Sequence, residues 1–349
     1  MNEIRPPMIH VILIDGTFAS LVEGQSSSIG RIYRLLRGET PTMTGRRIRL
    51  HYGLGQQWDR WHTLPELAMG RALEVRIIDA YGWLASGYRE GDLIFFFGYS
   101  RGAFAVRSLA GMIGRIGLVR PHSATERNVR LAWRYYREGG SEHAIGAFRR
   151  RRCLPHVPIR LIGCFDTVQS LGIPFPILGR LTASRFRFHD AALGPEVEHG
   201  LHALALDETR AAFAPPLWDD DPGHPGRIEQ MWFRGAHPDI GGQLSGMEFA
   251  RPLSNIPLVW MLGRAEECGL PLPPGWRNRF PCDATAPPIG TWRNWGKAFW
   301  VRAHRLAGAH QNEALHSTVP PDYTGPARLI GHLARPRAAQ VKVADQASV

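Results

Sequence analysis

Leu93-Ile94-Phe95-Phe96-Phe97-Gly98-Tyr99-Ser100-Arg101-Gly102, running on into Ala103-Phe104-Ala105-Val106, is the stretch from which this chain is read. Leu93–Gly98 is apolar at every position, the pattern of a strand buried on both faces. Ala103–Ile116 continues with small and apolar residues as a helix. The junction, Gly98-Tyr99-Ser100-Arg101-Gly102, is a G-x-S-x-G motif in the strand-to-helix context that gives it meaning. A turn this sharp forces the middle residue into strained backbone. Glycines two positions to either side let neighbouring chain pass without a clash. The Ser100 hydroxyl then projects beyond the sheet, where a helix N-terminus favours developing negative charge. The competing reading is an ordinary tight turn.

Working outward, Met8–Ile14 is another short apolar run, closed by Asp15-Gly16-Thr17. Arg71–Tyr88 places Ala72, Val75, Ile77, Ile78, Tyr81 and Leu84 at helical spacing and breaks at Gly87. Ile159–Phe165 predicts a third strand, closed by Asp166, and Gln230–Phe233 a fourth, closed by the polar, glycine-rich stretch Gly235–Gly242. All-apolar strands alternating with helices predict an α/β domain, a mostly parallel central sheet with helices on both faces and loop insertions. Ligands of such sheets bind beyond the carboxyl ends of the strands. The polar residues just after each strand are therefore the candidates.

A serine hydroxyl needs a histidine base oriented by an acid. Asp166, ending the strand that follows the serine, suits the acid; its bland alternative is a turn cap. Among fifteen histidines, His237 directly follows the fourth strand, and His316 could follow a last one. Asp239, two residues from His237, competes with Asp166. Its proximity in an extended segment makes end-on pairing with the ring awkward, so Asp166 is expected against His237. Two backbone N–H groups are needed for an oxyanion. Arg101 supplies one, and the Asp15-Gly16-Thr17 loop suits the other.

These segments, taken in order, carry a resemblance. Ile14-Asp15-Gly16-Thr17, Phe97–Ala103, Phe165-Asp166-Thr167-Val168, His202-Ala203-Leu204-Ala205-Leu206-Asp207-Glu208 and Trp232–Gly242 resemble the α/β-hydrolase domain of type VI secretion phospholipase effectors and related uncharacterised bacterial hydrolases. The match runs from about Ile9 to Met261. The resemblance implies an α/β-hydrolase fold and a triad of Ser100, Asp166 and His237. It implies a carboxylic-ester hydrolase that forms an acyl-enzyme on phospholipid, with a secretion-machinery or immunity protein as partner. Rival readings are a soluble esterase or thioesterase and a silent hydrolase fold used for binding. An intact Ser, Asp and His set argues against the last.

Composition bounds these readings. At 349 residues with 44% hydrophobic and 21% charged residues, the chain reads as a folded domain. The net charge of +11 is nearly all arginine, Lys297 and Lys342 being the lysines. The basic residues are scattered and no nucleic-acid motif accompanies them, so nucleic acid is not an expected partner. Arg149–Arg152 reads as a solvated face. The insert Ile173–Asp190, with Phe175, Phe186, Phe188, Arg180, Arg185 and Arg187, is expected to meet a membrane surface. Cys153, Cys164, Cys268 and Cys282 show no pairing or metal motif, so free thiols, no metal and no cofactor are expected. Residues 8–330 are read as the catalytic domain, with insertions near 120–155 and 173–226, and 335–349 as a flexible tail. The start of the chain lacks a signal-peptide pattern, and no apolar run reaches the ~20 residues of a bilayer span. Synthesis in the bacterial cytoplasm is expected, with any export by a contact-dependent system.

Overall fold

Seven strands form one sheet in the computed structural model, which describes residues 7–22, 24–38, 47–55, 65–169, 193–292 and 300–334. They are β1 (Ile9–Ile14), β2 (Ile48–Gly53), β3 (Leu93–Tyr99), β4 (Leu161–Phe165), β5 (His199–Ala205), β6 (Arg227–Phe233) and β8 (Glu313–Leu315). Their order is β2-β1-β3-β4-β5-β6-β8, and every neighbouring pair is parallel. A separate pair, β7 (Leu306–Ala307) with β9 (Arg328–Leu329), lies in the C-terminal segment.

Alternate residues of each inner strand feed opposite faces, which is why those strands read as unbroken apolar runs. On one face Ile12, Ile14, Ile94 and Phe96 pack against α2 (Pro65–Gly87) and α3 (Arg101–Ile116). On the other, Val11, Leu13, Phe95, Phe97 and Tyr99 pack against α1 (Ser28–Arg37) and the helix Arg251–Glu267. Each buried phenylalanine contributes about 1.5–3 kcal/mol by leaving water. The part of the first expected insertion that follows α3 is helical. α4 (Glu126–Glu138) and α5 (Glu142–Arg152) bury Val129, Ala132, Tyr136, Ile145 and Phe148 against the first face. Arg149–Arg152 form the exposed last turn of α5. Cys164 is core, and no helix among the described residues is long and apolar enough to cross a membrane.

The expected strands are present, and three more join them in the sheet. β2 and β8 are the edges; β2 is half-buried along its length, so Ile48–Gly53 lacks an apolar run. β5 is central but carries His199 and His202, which break the apolar pattern. The stretch after β6 is not extended as expected. Residues His237–Gly241 form a short helix, ended by Gly242 in left-handed backbone (φ 73°). The arginine- and aromatic-rich insert at 173–190 and the tail at 335–349 lie outside the described residues.

From β1 the chain passes to β2 on one side and then to β3 on the other. The sheet therefore reverses its winding between β1 and β3, the place where ligands of doubly wound sheets bind.

Candidate active site

Ser100 sits at the end of β3, at that reversal. Its backbone has φ 57° and ψ −120°, a conformation that costs a non-glycine residue about 1–3 kcal/mol. The surroundings hold it there. The Ser100 N–H donates to the Phe165 carbonyl at 3.0 Å, and the Ser100 carbonyl accepts from Val168 N–H at 3.2 Å. Chain crowding explains the glycines. A Cβ on Gly98 would meet the Gly102 carbonyl oxygen at 2.4 Å, and one on Gly102 would meet the Ile14 carbonyl oxygen at 2.0 Å.

The structure brings His237 and Asp166 to this serine. His237 Nε2 is 3.0 Å from Ser100 Oγ, and His237 Nδ1 is 2.6 Å from Asp166 Oδ2. The Asp166 and Thr167 side chains are fully buried, and His237 nearly so. Asp166 has positive φ (41°), while its N–H donates to the Ala203 carbonyl at 2.8 Å, so β5 grips the acid's backbone. The carboxylate also accepts from Ala205 N–H at 3.0 Å. Tyr99 seats His237: its ring lies 4.8 Å from the imidazole, and its hydroxyl donates to the His237 carbonyl at 3.4 Å. That ring is wedged between Gly16 and Gly241, whose added Cβ atoms would lie 2.6 and 1.9 Å from it. The Phe213 ring meets the imidazole edge-on at 4.9 Å.

The alternatives are elsewhere. His316 follows β8, stacks on Phe233 at 4.7 Å and pairs through Nδ1 with Thr318 Oγ1 at 2.9 Å. Asp239 accepts from Ala236 N–H at 2.8 Å and Ile289 N–H at 2.9 Å, fastening the short helix from within. Burial raises its carboxyl to about 6 against those bonds.

The loop after β1 is also in place, though its acid faces inward. Asp15 Oδ1 accepts from Ser27 Oγ at 2.6 Å and from Gly16 N–H at 2.8 Å, and Oδ2 from the Tyr52 hydroxyl at 2.7 Å. Burial lifts Asp15 to about 6 even so. Ser27 also caps α1, so one hydroxyl ties the helix to the loop. The Cβ position of Gly16 is 3.4 Å from Ser100 Cβ. With Gly16 N–H held by Asp15, Thr17 N–H is the next donor along the loop. Arg101 opens α3, in the turn whose N–H groups have no intrahelical acceptor. Burial, with Arg76 nearby, pulls its guanidinium down to about 10.

Asp166, Glu208 and Arg210 act on the His237 ring, and Arg305 acts on Asp166. Burial lowers His237, and its bond to Asp166 opposes that. Burial would raise Asp166, but Arg305 and His237 outweigh it and hold the carboxyl well below its ordinary range. Glu208 Oε2 accepts the His237 N–H at 3.2 Å, and the Arg210 fork donates to Oε2 at 2.7 Å and to Oε1 at 2.8 Å. Glu208 stands in the segment singled out from the sequence. Arg305 and Arg210 do not, since nothing local separates them from the many other arginines.

Residues 9–264 match the family described as type VI secretion system phospholipase effector, Tle1-like, catalytic domain. An uncharacterised protein of Saccharomyces cerevisiae is 33% identical over 153 residues, covering 41% of this chain and 21% of the yeast protein. A crystal structure of an uncharacterised Pseudomonas aeruginosa protein aligns over 79% of this chain and 49% of its own, at 19% identity and TM-score 0.44. A Tle1 effector bound to the VgrG spike of the type 6 secretion system aligns over 68% and 51%, at 18% identity and TM-score 0.38. The chain thus spans about a fifth of the yeast protein and about half of each solved chain.

Proposed function

The chain belongs to the Tle1-like phospholipase effector family of type VI secretion, and from that premise we propose that it is a serine-dependent carboxylic-ester hydrolase acting on membrane glycerophospholipid. The observation that carries the reading is the continuous line Ser100 Oγ, His237 ring, Asp166 carboxylate, at 3.0 and 2.6 Å, on a strained turn at the reversal of the sheet.

Ser100 Oγ attacks the ester carbonyl while His237 Nε2 takes its proton. The tetrahedral oxyanion sits between the N–H groups of Arg101 and Thr17. His237 returns the proton to the leaving alcohol, so the ester bond breaks and an acyl group remains on Ser100. Water, deprotonated by the same ring, then releases the fatty acid. Asp166 holds Nδ1–H toward itself and stabilises the imidazolium. Buried surroundings suit this, because fixed dipoles act more strongly there than in water. The family supports delivery by the contact-dependent machinery from the cytoplasm of the producing cell. The basic insert with Arg180, Arg185 and Arg187 is assigned the membrane contact, each such arginine gaining about 1 kcal/mol near an anionic surface.

The test uses the whole chain and its Ser100→Ala variant on phosphatidylglycerol–phosphatidylethanolamine vesicles and on p-nitrophenyl butyrate. Release of fatty acid and lysophospholipid by the parent alone is expected. Hydrolysis of the soluble ester only would replace phospholipid with a soluble ester as substrate. No turnover of either would overturn the serine-hydrolase reading.

A further inference from the structure

The Asp166 carboxylate has a second partner, outside the stretch that matches the family. Arg305 directly precedes β7, where its carbonyl accepts from Arg328 N–H at 2.8 Å beside the β7–β9 pair. Its side chain is buried, and its Nη1 and Nη2 reach Asp166 Oδ1 and Oδ2 at 2.6 and 3.0 Å. The same two nitrogens donate to the carbonyls of Ala205 at 2.9 Å and Phe213 at 2.6 Å. This planar fork grips both carboxylate oxygens and is itself bolted to β5 and to the segment bearing Phe213.

Resting on the assignment of His237 as the base, we propose that Arg305 is a positioning residue: it fixes the plane of the Asp166 carboxylate and, by its charge, keeps the His237 ring neutral and able to accept the serine proton.

The geometry requires both effects. His237 Nδ1 and Arg305 Nη2 share Asp166 Oδ2, while Arg305 Nη1 and Ala205 N–H share Oδ1. The carboxylate therefore cannot rotate without losing several donors at once. The charged groups acting on His237 directly are Asp166 and Glu208, opposed by Arg210, while Arg305 acts on it through Asp166. Asp239, on the base's own helix, spends its carboxylate on backbone, and Tyr99 and Phe213 present rings. Two carboxylates are thus matched by two guanidiniums. Without Arg305 the pocket carries one uncompensated negative charge, which favours the imidazolium.

The experiment compares the parent with Arg305→Met, Arg305→Gln and Arg305→Lys. It reads the acid limb of kcat/KM on p-nitrophenyl butyrate, and the His237 imidazole titration by NMR, with the ring assigned by comparison with His237→Gln. Met and Gln are expected to move limb and titration to higher pH by about one unit, the lower end of what one nearby charge does. Lys, which keeps the charge but not the fork, should restore most of the position at reduced kcat. A purely packing role would lower activity and melting temperature while leaving the limb where it was, and that outcome overturns the proposal. An equal displacement in Lys and Gln would overturn the charge argument too. Should Arg305→Met not fold, Arg305→Gln, which retains an N–H donor to the carboxylate, is read in the same way. The NMR titration needs no turnover, so a parent that hydrolyses no ester leaves this inference testable while refuting the ester-hydrolase reading.

Discussion

His237 Nδ1 lies 2.6 Å from Asp166 Oδ2 although the strands that precede them, β6 and β4, do not touch, β5 running between them. Two strand spacings are about 10 Å. The gap closes because the chain turns into a helix directly after β6, which throws His237 back across the end of β5. A β6 that ran straight on would leave the ring over its own strand. The relation depends on helix, strand order and the Tyr99 ring together.

Ser100→Ala should remove hydrolysis, by on the order of 10⁴-fold or more, while the melting temperature stays near that of the parent. Ser100 keeps its backbone bonds to Phe165 and Val168 in the variant, since neither uses the hydroxyl. Initial rates and thermal melts on one preparation check this. An active Ser100→Ala protein would falsify the mechanism.

His237→Ala and His316→Ala should separate cleanly. The first should equal Ser100→Ala in activity, with the double variant no worse, because members of such a unit do not add. The second removes a ring stacked on Phe233 and should lower stability by about 1–2 kcal/mol with kcat retained. Loss of kcat in folded His316→Ala would contradict the assignment.

Asp166→Asn and Asp239→Asn make a matching pair. With Asp166→Asn the ring loses its orienting acceptor, and a fall in kcat on the order of 10⁴-fold is expected. With Asp239→Asn two backbone N–H groups, of Ala236 and Ile289, lose a carboxylate. That should cost about 1–3 kcal/mol of stability and much less activity. Denaturant melts and kcat for both variants decide between the two acids.

Two histidines set the pH behaviour with a definite sign. His237 must be neutral to act, and burial places it below its ordinary 6.5, so kcat/KM should fall with an acid limb below pH 6.5. A limb above that value would contradict the burial argument. His202, fully buried, is lowered to about 3 by desolvation, then by Arg107. Its Nε2 accepts from Thr167 N–H at 3.2 Å, a bond that protonation there would break. The unfolded chain takes up this proton below pH 6.5 and the folded chain does not. Stability is therefore full above pH 6.5 and is lost on acidification, by up to about 1.4 kcal/mol per pH unit from this group. Melting temperature against pH should fall less steeply in His202→Gln; an unchanged slope would count against it.

The strained turn at Ser100 was legible in the sequence because its cause is local. Gly98, Ser100 and Gly102 are dictated by crowding within a few residues and by the Ile14 carbonyl, and the apolar runs of β1, β3 and β4 report burial on both faces. β2, half-buried at an edge, and β8, three residues long, leave no such record. The ranking of His237 over His316 rested on strand ends, that of Asp166 over Asp239 on the awkward two-residue spacing of an extended segment, and the family resemblance pointed the same way. Asp239 fell into place only once Gly235–Gly242 proved partly helical.

What the sequence determined by itself was the parallel α/β class, the strained serine turn and the polar residues beyond each strand, since sterics and hydrophobic periodicity act over a few neighbours. Tertiary structure alone decided which of those residues meet. Strand order places Ser100, Asp166 and His237 within hydrogen-bond reach across separations of 71 and 137 residues. It also brings in Arg305, 139 residues beyond the acid it grips. Buried charge is stable only when paired, and the partner can come from anywhere in the chain that the fold delivers to the site.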